Sequence, residues 1–171
     1  MKNLDRYTAK GQEFINKERQ TASLVENHFG VKLDFSSFDA EKFDAYIYAD
    51  ENIIAGICEI KTRIYWNRKQ GTKFSFDKLK QNGYMITAEK LDILQEQSRT
   101  YNVYSYIFVN SPNDKKIFCF KVCDKQGNSL VKYDTRETWS RYSCNDYKGD
   151  VKRPNAYIPV TNNPHFKFFN Y

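Results

Sequence analysis

The sequence is poor in the residues that build thiolate or imidazole metal sites. Only four cysteines and two histidines occur among its 171 residues. No two cysteines have Cys-x-x-Cys spacing, and His28 and His165 lie far apart in the chain. A zinc site is therefore not expected.

Long apolar runs are also lacking. No stretch approaches the length of apolar sequence that crosses a membrane, so we expect no membrane partner. The N-terminal residues include no apolar run of the kind found in signal peptides. We therefore expect an intracellular, cytoplasmic protein with reduced thiols. In such a protein Cys119 and Cys123, on one face of an apparent strand, pack as small apolar groups.

The composition that is present is that of a globular protein with an excess of positive charge. Hydrophobic residues make up 40% and charged residues 28%, and the length of 171 residues without a recognisable linker predicts one domain over residues 1–171. Lys and Arg number 27 against 21 Asp and Glu, a formal net charge of +6. Such a charge favours an anionic partner, most simply nucleic acid. An otherwise ordinary basic protein has the same charge.

Hydrophobic periodicity and turn residues predict alternating helices and strands. Helices are predicted over Thr8–His28 and from Thr87 to about Arg99. Strands are predicted over Val31–Phe35, Lys42–Ala49, Ile53–Thr62, Asn102–Val109 and Lys116–Val122. This mixture predicts an α/β layered fold with a mixed sheet. The tail from Thr135 is expected to wrap the core as extended segments, with Ala156–Val160 as an edge strand.

The most informative residues lie on the hairpin formed by the second and third predicted strands. Glu59 and Lys61 share one strand face because successive side chains alternate. A turn centred between Glu51 and Asn52 would place Asp44 directly opposite Glu59, with Cβ atoms about 5 Å apart. A three-residue loop would instead pair Asp44 with Cys58.

Two opposed carboxylates beside an apolar core suit a shared divalent cation. Oxygen ligands without a His or Cys cluster favour Mg²⁺, or Mn²⁺ as its substitute, over zinc. The plainer interpretation is that Glu59 and Lys61 form an ion pair at a strand end, and an isolated Glu-x-Lys triplet favours that interpretation.

Asp44 and the triplet Glu59-Ile60-Lys61, on the second and third strands of this element order, resemble the PD-(D/E)XK nuclease superfamily. The resemblance covers roughly residues 8–122, and the extension from about 123 to 171 has no counterpart. It implies a restriction-endonuclease-like α-β-β-β-α-β core with a central mixed sheet flanked by helices. Phe43 stands where many members have proline before the first acidic residue.

The resemblance also implies roles for the site residues. Asp44, Glu59 and the Ile60 carbonyl would bind Mg²⁺. Lys61 would orient or deprotonate the attacking water and stabilise charge on the phosphate. Many members add a glutamate from the first helix, and we predict Glu18, which shares a helical face with apolar residues. Glu26 is the competing candidate.

The segment after the triplet, Arg63 to Lys73, is predicted to be a basic, aromatic loop. Basic residues interleaved with aromatic rings suit phosphate contacts and stacking on unpaired bases. A loop whose aromatic residues anchor it to the core is the alternative. The DNA-binding candidates here and in the second helix are Arg63, Trp66, Arg68, Lys69, Lys73 and Lys90.

The resemblance therefore implies a metal-dependent DNA endonuclease, acting on DNA that includes branched or recombination intermediates. Small members are often phage-encoded, in which case the compartment is the host cytoplasm, and homodimers are common among them. An alternative function is a catalytically inactive, nuclease-fold module that binds nucleic acid or serves as an accessory protein of a phage or mobile element. A further alternative is an unrelated α/β protein whose hairpin mimics the motif. RNA remains open as the substrate.

Overall fold

The computed structural model describes residues 8–35, 42–143 and 148–171. Three helices occur there: α1 (Ala9–Phe29), α2 (Phe76–Asn82) and α3 (Ala88–Tyr101). The strands are β1 (Lys32–Phe35), β2 (Ala45–Asp50), β3 (Ile53–Thr62), β4 (Tyr65–Asn67), β5 (Thr72–Lys73), β6 (Tyr84–Thr87), β7 (Tyr104–Ser111), β8 (Lys116–Cys123), β9 (Asp134–Ser143), β10 (Lys148–Ile158) and β11 (Phe166–Asn170). Cys144 lies outside the described residues.

The central element is a six-stranded sheet with the order β1-β2-β3-β7-β8-β11. Strands β3 and β7 are parallel, and the other neighbours are antiparallel. The connection between the parallel strands contains α2 and α3, as a crossover requires. The predicted α/β class with a mixed sheet and flanking helices is thus confirmed.

Helix α1 covers one face of this sheet, and α3 covers the other. Ala22 and Val25 of α1 pack with Cys58 and Ile60, whereas Leu94 of α3 packs in the cluster that contains Ile57. The alternation of side chains along β3 divides these contacts between the two layers. Strand β3 is consequently buried on both faces, and its polar residues need partners inside the protein.

Helix α1 begins and ends with capping interactions. The Thr8 hydroxyl accepts a hydrogen bond from the Gly11 N–H, and Gly30 ends the helix in the left-handed region with φ 65°. The buried face differs from the predicted apolar stripe. Phe14 is 52% exposed, whereas Gly11 and Thr21 are buried. Small residues, which permit close approach of helix and sheet, define this face better than large apolar ones.

The β2–β3 hairpin has the predicted register where it reaches the site. Ala45 pairs with Cys58, and Asp50 pairs with Ile53 around a two-residue turn. Two irregularities between these ends compensate each other. Asp44 does not pair directly with Glu59, because its N–H donates to the Cys58 carbonyl at 3.0 Å. Asp44 therefore lies just beyond the ladder, and its side chain turns toward β3.

Two further predictions require correction. The segment 63–73, predicted as a loop, contains the two strands β4 and β5, which pair around a Gly71 turn. The predicted edge strand Ala156–Val160 falls largely in β10, which is the central strand of a second sheet with the order β6-β10-β9. Long-range pairing with β6, about 70 residues earlier in the chain, is not visible in local periodicity.

The C-terminal residues complete the main sheet. Strand β11 pairs with β8, and Phe169 is buried in the cluster beneath α1. Cys119 and Cys123 are both buried, as predicted, but in different layers, because a register irregularity near Cys123 turns that residue to the opposite side. Burial raises the pKa of the Cys119 thiol to about 12. None of the helices in the described ranges is both long and apolar enough to cross a membrane.

Candidate active site

Asp44 and β3 are joined by a side-chain contact at the end of the β2 ladder. The Ile60 N–H donates to Asp44 Oδ2 at 2.7 Å, and Lys61 Nζ donates to the same oxygen at 3.1 Å. In an extended strand the N–H and carbonyl of one residue point to the same side. The Ile60 carbonyl therefore also faces Asp44, as its predicted role as a ligand requires.

The Lys61 ammonium lies among three carboxylates from three elements. Nζ is 3.1 Å from Asp44 Oδ2, 3.1 Å from Glu59 Oε2 and 3.9 Å from Glu18 Oε1. All four residues predicted to be catalytic thus meet within ion-pair distance of one atom.

Glu59 is the most deeply buried member of this group. Its side chain is 0% exposed, and its second oxygen, Oε1, lies 2.5 Å from Lys90 Nζ. Neither oxygen accepts a hydrogen bond of normal geometry among the described residues. Lys90 also donates to the Lys42 carbonyl at 2.9 Å. A residue predicted only to bind phosphate therefore belongs to the same charged cluster.

The pKa values of Asp44 and Glu59 are shifted in opposite directions. Burial would raise the pKa of Asp44, but the charge on Lys61 and the hydrogen bond from Ile60 outweigh burial and hold this pKa below its ordinary value. Burial raises the pKa of Glu59, and the neighbouring Asp44 charge adds to the increase against the opposing Lys61 charge. Two close acidic groups with divergent pKa values are typical of functional sites.

Lys61 is a strong cation in this arrangement. Burial alone would lower the pKa of Lys61, but the charges of Glu59, Asp44 and Glu18 raise it above its ordinary value. A raised pKa opposes the role of proton acceptor and favours that of charge donor toward an anion.

The oxygen atoms around Lys61 fit a hard divalent cation in their chemistry. Glu59 presents two buried oxygens without well-formed hydrogen bonds, next to Asp44 and the Ile60 carbonyl. Mg²⁺ accepts one or two carboxylates and keeps several waters. Within 8–35, 42–143 and 148–171 no three His, Cys, Asp or Glu side chains already form a ligand cluster. The ammonium of Lys61 lies between the carboxylates that such a cluster would need.

Helix α1 directs its two candidate glutamates to different places. Glu18 turns toward Lys61, with its side chain 23% exposed. Glu26 Oε1 accepts the Leu33 N–H at 2.7 Å, so this carboxylate fixes the start of β1. Of the two, Glu18 has the position expected of a site residue.

A polar chain beside the site, buried at Thr21 and Asn110, was missed from the sequence. The Tyr171 hydroxyl donates to Asn110 Oδ1 at 2.8 Å, and Asn110 Nδ2 donates to Thr21 Oγ1 at 3.0 Å. Thr21 Oγ1 in turn lies 3.2 Å from Thr62 Oγ1. This chain fastens α1 to β3 next to Glu18 and Lys61. The only signal in the sequence was a threonine within the apolar stripe of α1.

The basic segment after β3 forms the β4–β5 hairpin. Trp66 is half-buried and stacks on Phe74 with a centroid distance of 5.7 Å, so the ring has a packing role. Lys69 Nζ reaches Asp150 of β10 at 2.7 Å. The remaining predicted DNA-binding residues of this segment are half-buried Arg63 and exposed Arg68 and Lys73.

Comparison with known proteins gives no independent guide to this site. No protein-family model, no curated protein sequence and no solved structure matches the chain. The interpretation of the cluster around Lys61 therefore rests on its own geometry and chemistry.

Proposed function

We propose that this protein is a metal-dependent nuclease of the PD-(D/E)XK type that hydrolyses phosphodiester bonds in DNA, with branched or recombination DNA among its candidate substrates. The observation that carries the proposal is the convergence of Glu18, Asp44 and Glu59 on Lys61. The chain order α1-β1-β2-β3, followed after an insertion by α3-β7, supports a restriction-endonuclease-like core. The proposed compartment is intracellular.

The proposed roles follow from the position of each group. Asp44, Glu59 and the Ile60 carbonyl would hold Mg²⁺, and Glu18 would be a further ligand. When bound, Mg²⁺ supplies a water of lowered pKa and polarises a phosphate oxygen. Lys61 would donate to the phosphate, where its fixed positive charge offsets the negative charge that builds up during attack by water. Lys90 would keep the buried Glu59 ionised.

A cleavage assay tests this proposal. Supercoiled plasmid, linear duplex, single-stranded DNA and a four-way junction are incubated with Mg²⁺, Mn²⁺ or EDTA. We expect cleavage that requires the cation and falls at least about 100-fold in Lys61→Met, since this substitution keeps the aliphatic stem and removes the charge. Lys125→Gln is the control, because Lys125 lies in the turn after β8, next to the C-terminal end of α3. Equal cleavage by wild type and Lys61→Met would refute the site assignment.

One observation favours a second candidate, a nuclease-fold module that binds nucleic acid without cutting it. The carboxylates already have counter-charges, since Lys61 and Lys90 contact both oxygens of Glu59. A folded protein that binds DNA in a salt-dependent manner and cleaves none of the four substrates with either cation would establish this alternative.

A further inference from the structure

The hairpin of β9 and β10 extends beyond the sheet to which it belongs. Strand β6 pairs only with Asn155–Ile158 of β10, whereas β9 pairs with β10 from Lys148 to Tyr157. Residues Lys148–Pro154 and their partners Glu137–Ser143 therefore form a two-stranded ribbon past the end of β6. We refer to this part of the hairpin as the ribbon.

The ribbon begins next to the candidate active site. Asn155, where it leaves β6, pairs with Thr87, the N-cap of α3. Lys90, in the first turn of α3, contacts Glu59. Farther along the ribbon, Asp150 bonds to Lys69 of the β4–β5 hairpin. The ribbon thus runs from the α3 end of the site to the basic hairpin that follows β3.

Trp139 is an exposed aromatic residue of this ribbon. Its side chain is 68% exposed, and no other ring packs against it within the described residues. Trp66, the second tryptophan of the chain, is instead stacked on Phe74. An indole exposed on a regular strand gains nothing from core packing, and its open face is available for stacking on a ligand.

The surroundings of Trp139 suit a nucleic acid strand. Lys152 is its direct cross-strand partner and is paired loosely with Glu137 at 4.0 Å. The adjoining basic segment carries four positive charges, and no acidic residue occurs between Lys61 and Asp77. An aromatic face between basic groups is the arrangement with which proteins stack unpaired bases and hold the backbone.

We infer that Trp139 is a stacking platform for an unpaired base of the DNA substrate, with Lys152 next to it for the backbone. This inference rests on the proposed nuclease function. It narrows the substrate to DNA with a single-stranded segment near the scissile bond. A blunt duplex presents no free base face to the indole.

Tryptophan fluorescence tests this inference in EDTA, where no cleavage takes place. In Trp66→Phe, Trp139 is the sole tryptophan, and under excitation that selects tryptophan over tyrosine we expect a single-stranded oligothymidylate to quench its emission in a saturable manner. The Trp139→Phe protein, which emits only from Trp66, is the matched control and should show little quenching. Trp139→Ala should weaken single-strand affinity about 10-fold or more, with Trp139→Phe retaining most of that affinity.

Three results would overturn the inference. They are absent quenching of Trp139, equal quenching by single strand and blunt duplex, and a dimer that Trp139→Ala dissociates without a change in DNA affinity. Cleavage by the wild type is scored separately in Mg²⁺. Quenching without cleavage would refute the nuclease and leave the stacking platform standing, whereas cleavage without quenching would refute only the platform.

Discussion

At the scale of single residues, the cluster is organised by Lys61, whose ammonium group lies within ion-pair distance of three carboxylates. Buried ionised groups are costly unless each has partners of opposite charge. Lys61 supplies a partner to Asp44, Glu59 and Glu18 at once, and Lys90 supplies a second one to Glu59. A divalent cation could enter only where these ammonium groups give up part of that role, so metal binding and lysine position are coupled.

Glu18 offers a prediction with a control on the same helix. Glu18→Gln keeps the shape of the side chain but removes the third charge near Lys61, so we expect Mg²⁺-dependent cleavage to fall about 10- to 100-fold. Glu13→Gln, also on α1, removes a 62% exposed carboxylate whose partner is Lys17. Single-turnover rates and thermal unfolding are measured for both. Identical rates in the two variants would exclude Glu18 from the site.

The sequence was sufficient to predict that Asp44, Glu59 and Lys61 lie close together, because strand alternation and a two-residue turn determine which side chains share a face. Glu18 was predicted from the resemblance and from its helical face, with Glu26 as the competing candidate. The sequence did not predict how Asp44 and Glu59 come into contact. Their direct pairing was wrong, since the Asp44 N–H bonds to Cys58 and the two carboxylates meet through Lys61. The place of Lys90 depends on how α3 packs on β3, which no local pattern encodes.

At the scale of elements, β3 carries the site because it is central and continues beside β7 to Thr62 after its pairing with β2 has ended. Its bounds, Ile53–Thr62, were predicted correctly from an apolar run next to a turn. Strand β2 ends its pairing at Ala45, which opens an edge of β3 toward Asp44. The hydrogen-bond chain from Tyr171 through Asn110 to Thr21 then holds α1 against this edge. Tyr171 thereby supports the helix that carries Glu18.

The second sheet depends on a glycine at the junction of α2 and β6. Gly83 has φ 73° and ψ 173°, a conformation that is essentially restricted to glycine. A Cβ there would lie 2.8 Å from the Ile158 carbonyl oxygen. We therefore expect Gly83→Ala to lower the free energy of unfolding by about 3 kcal/mol or more.

Gly71 provides the comparison for this substitution. It also has a positive φ, 68°, but a Cβ there would meet nothing within 4 Å. Gly71→Ala should cost only about 1–2 kcal/mol, the cost of the backbone conformation itself. Chemical denaturation of both variants measures the difference. Equal losses would mean that β10 does not approach the Gly83 backbone closely.

At the scale of the whole molecule, the candidate site, the basic hairpin and the ribbon lie at the same end. Helix α3 begins there with Lys90, β3 leaves the sheet there toward the basic hairpin, and the ribbon meets that hairpin through Lys69 and Asp150. The far end of α3 lies about 20 Å away, at 1.5 Å per residue for a helix of 14 residues. This end therefore carries several basic residues next to the carboxylates of the candidate site.

The salt dependence of DNA binding tests this distribution. Each lysine that contacts a phosphate releases counterions. Its loss therefore makes the negative slope of log K against log salt shallower by about 0.7 to 0.9. We expect that change for Lys73→Gln in the basic hairpin and no change for Lys125→Gln beyond the end of α3. Binding is measured by fluorescence anisotropy in EDTA. A slope unchanged by Lys73→Gln would remove the hairpin from the interface.

The architecture of the C-terminal third could not be predicted, because its pairings join distant segments. Strand β10 pairs with β6, and β11 pairs with β8, while no pattern in the local sequence marks these partners. The sequence predicted extended structure there, which was correct, and an edge position for Ala156–Val160, which was wrong. Tertiary context decides strand order more than local propensity does.

The most direct test of the central claim compares two aspartates near opposite ends of β2. Asp44→Asn removes the carboxylate that contacts Ile60 and Lys61, whereas Asp50→Asn changes an exposed carboxylate at the turn. The measurement is the single-turnover cleavage rate of DNA in Mg²⁺, with EDTA as the blank. The account predicts metal-dependent cleavage that Asp44→Asn abolishes and Asp50→Asn leaves intact. Cleavage that persists in Asp44→Asn, or in EDTA, would contradict it.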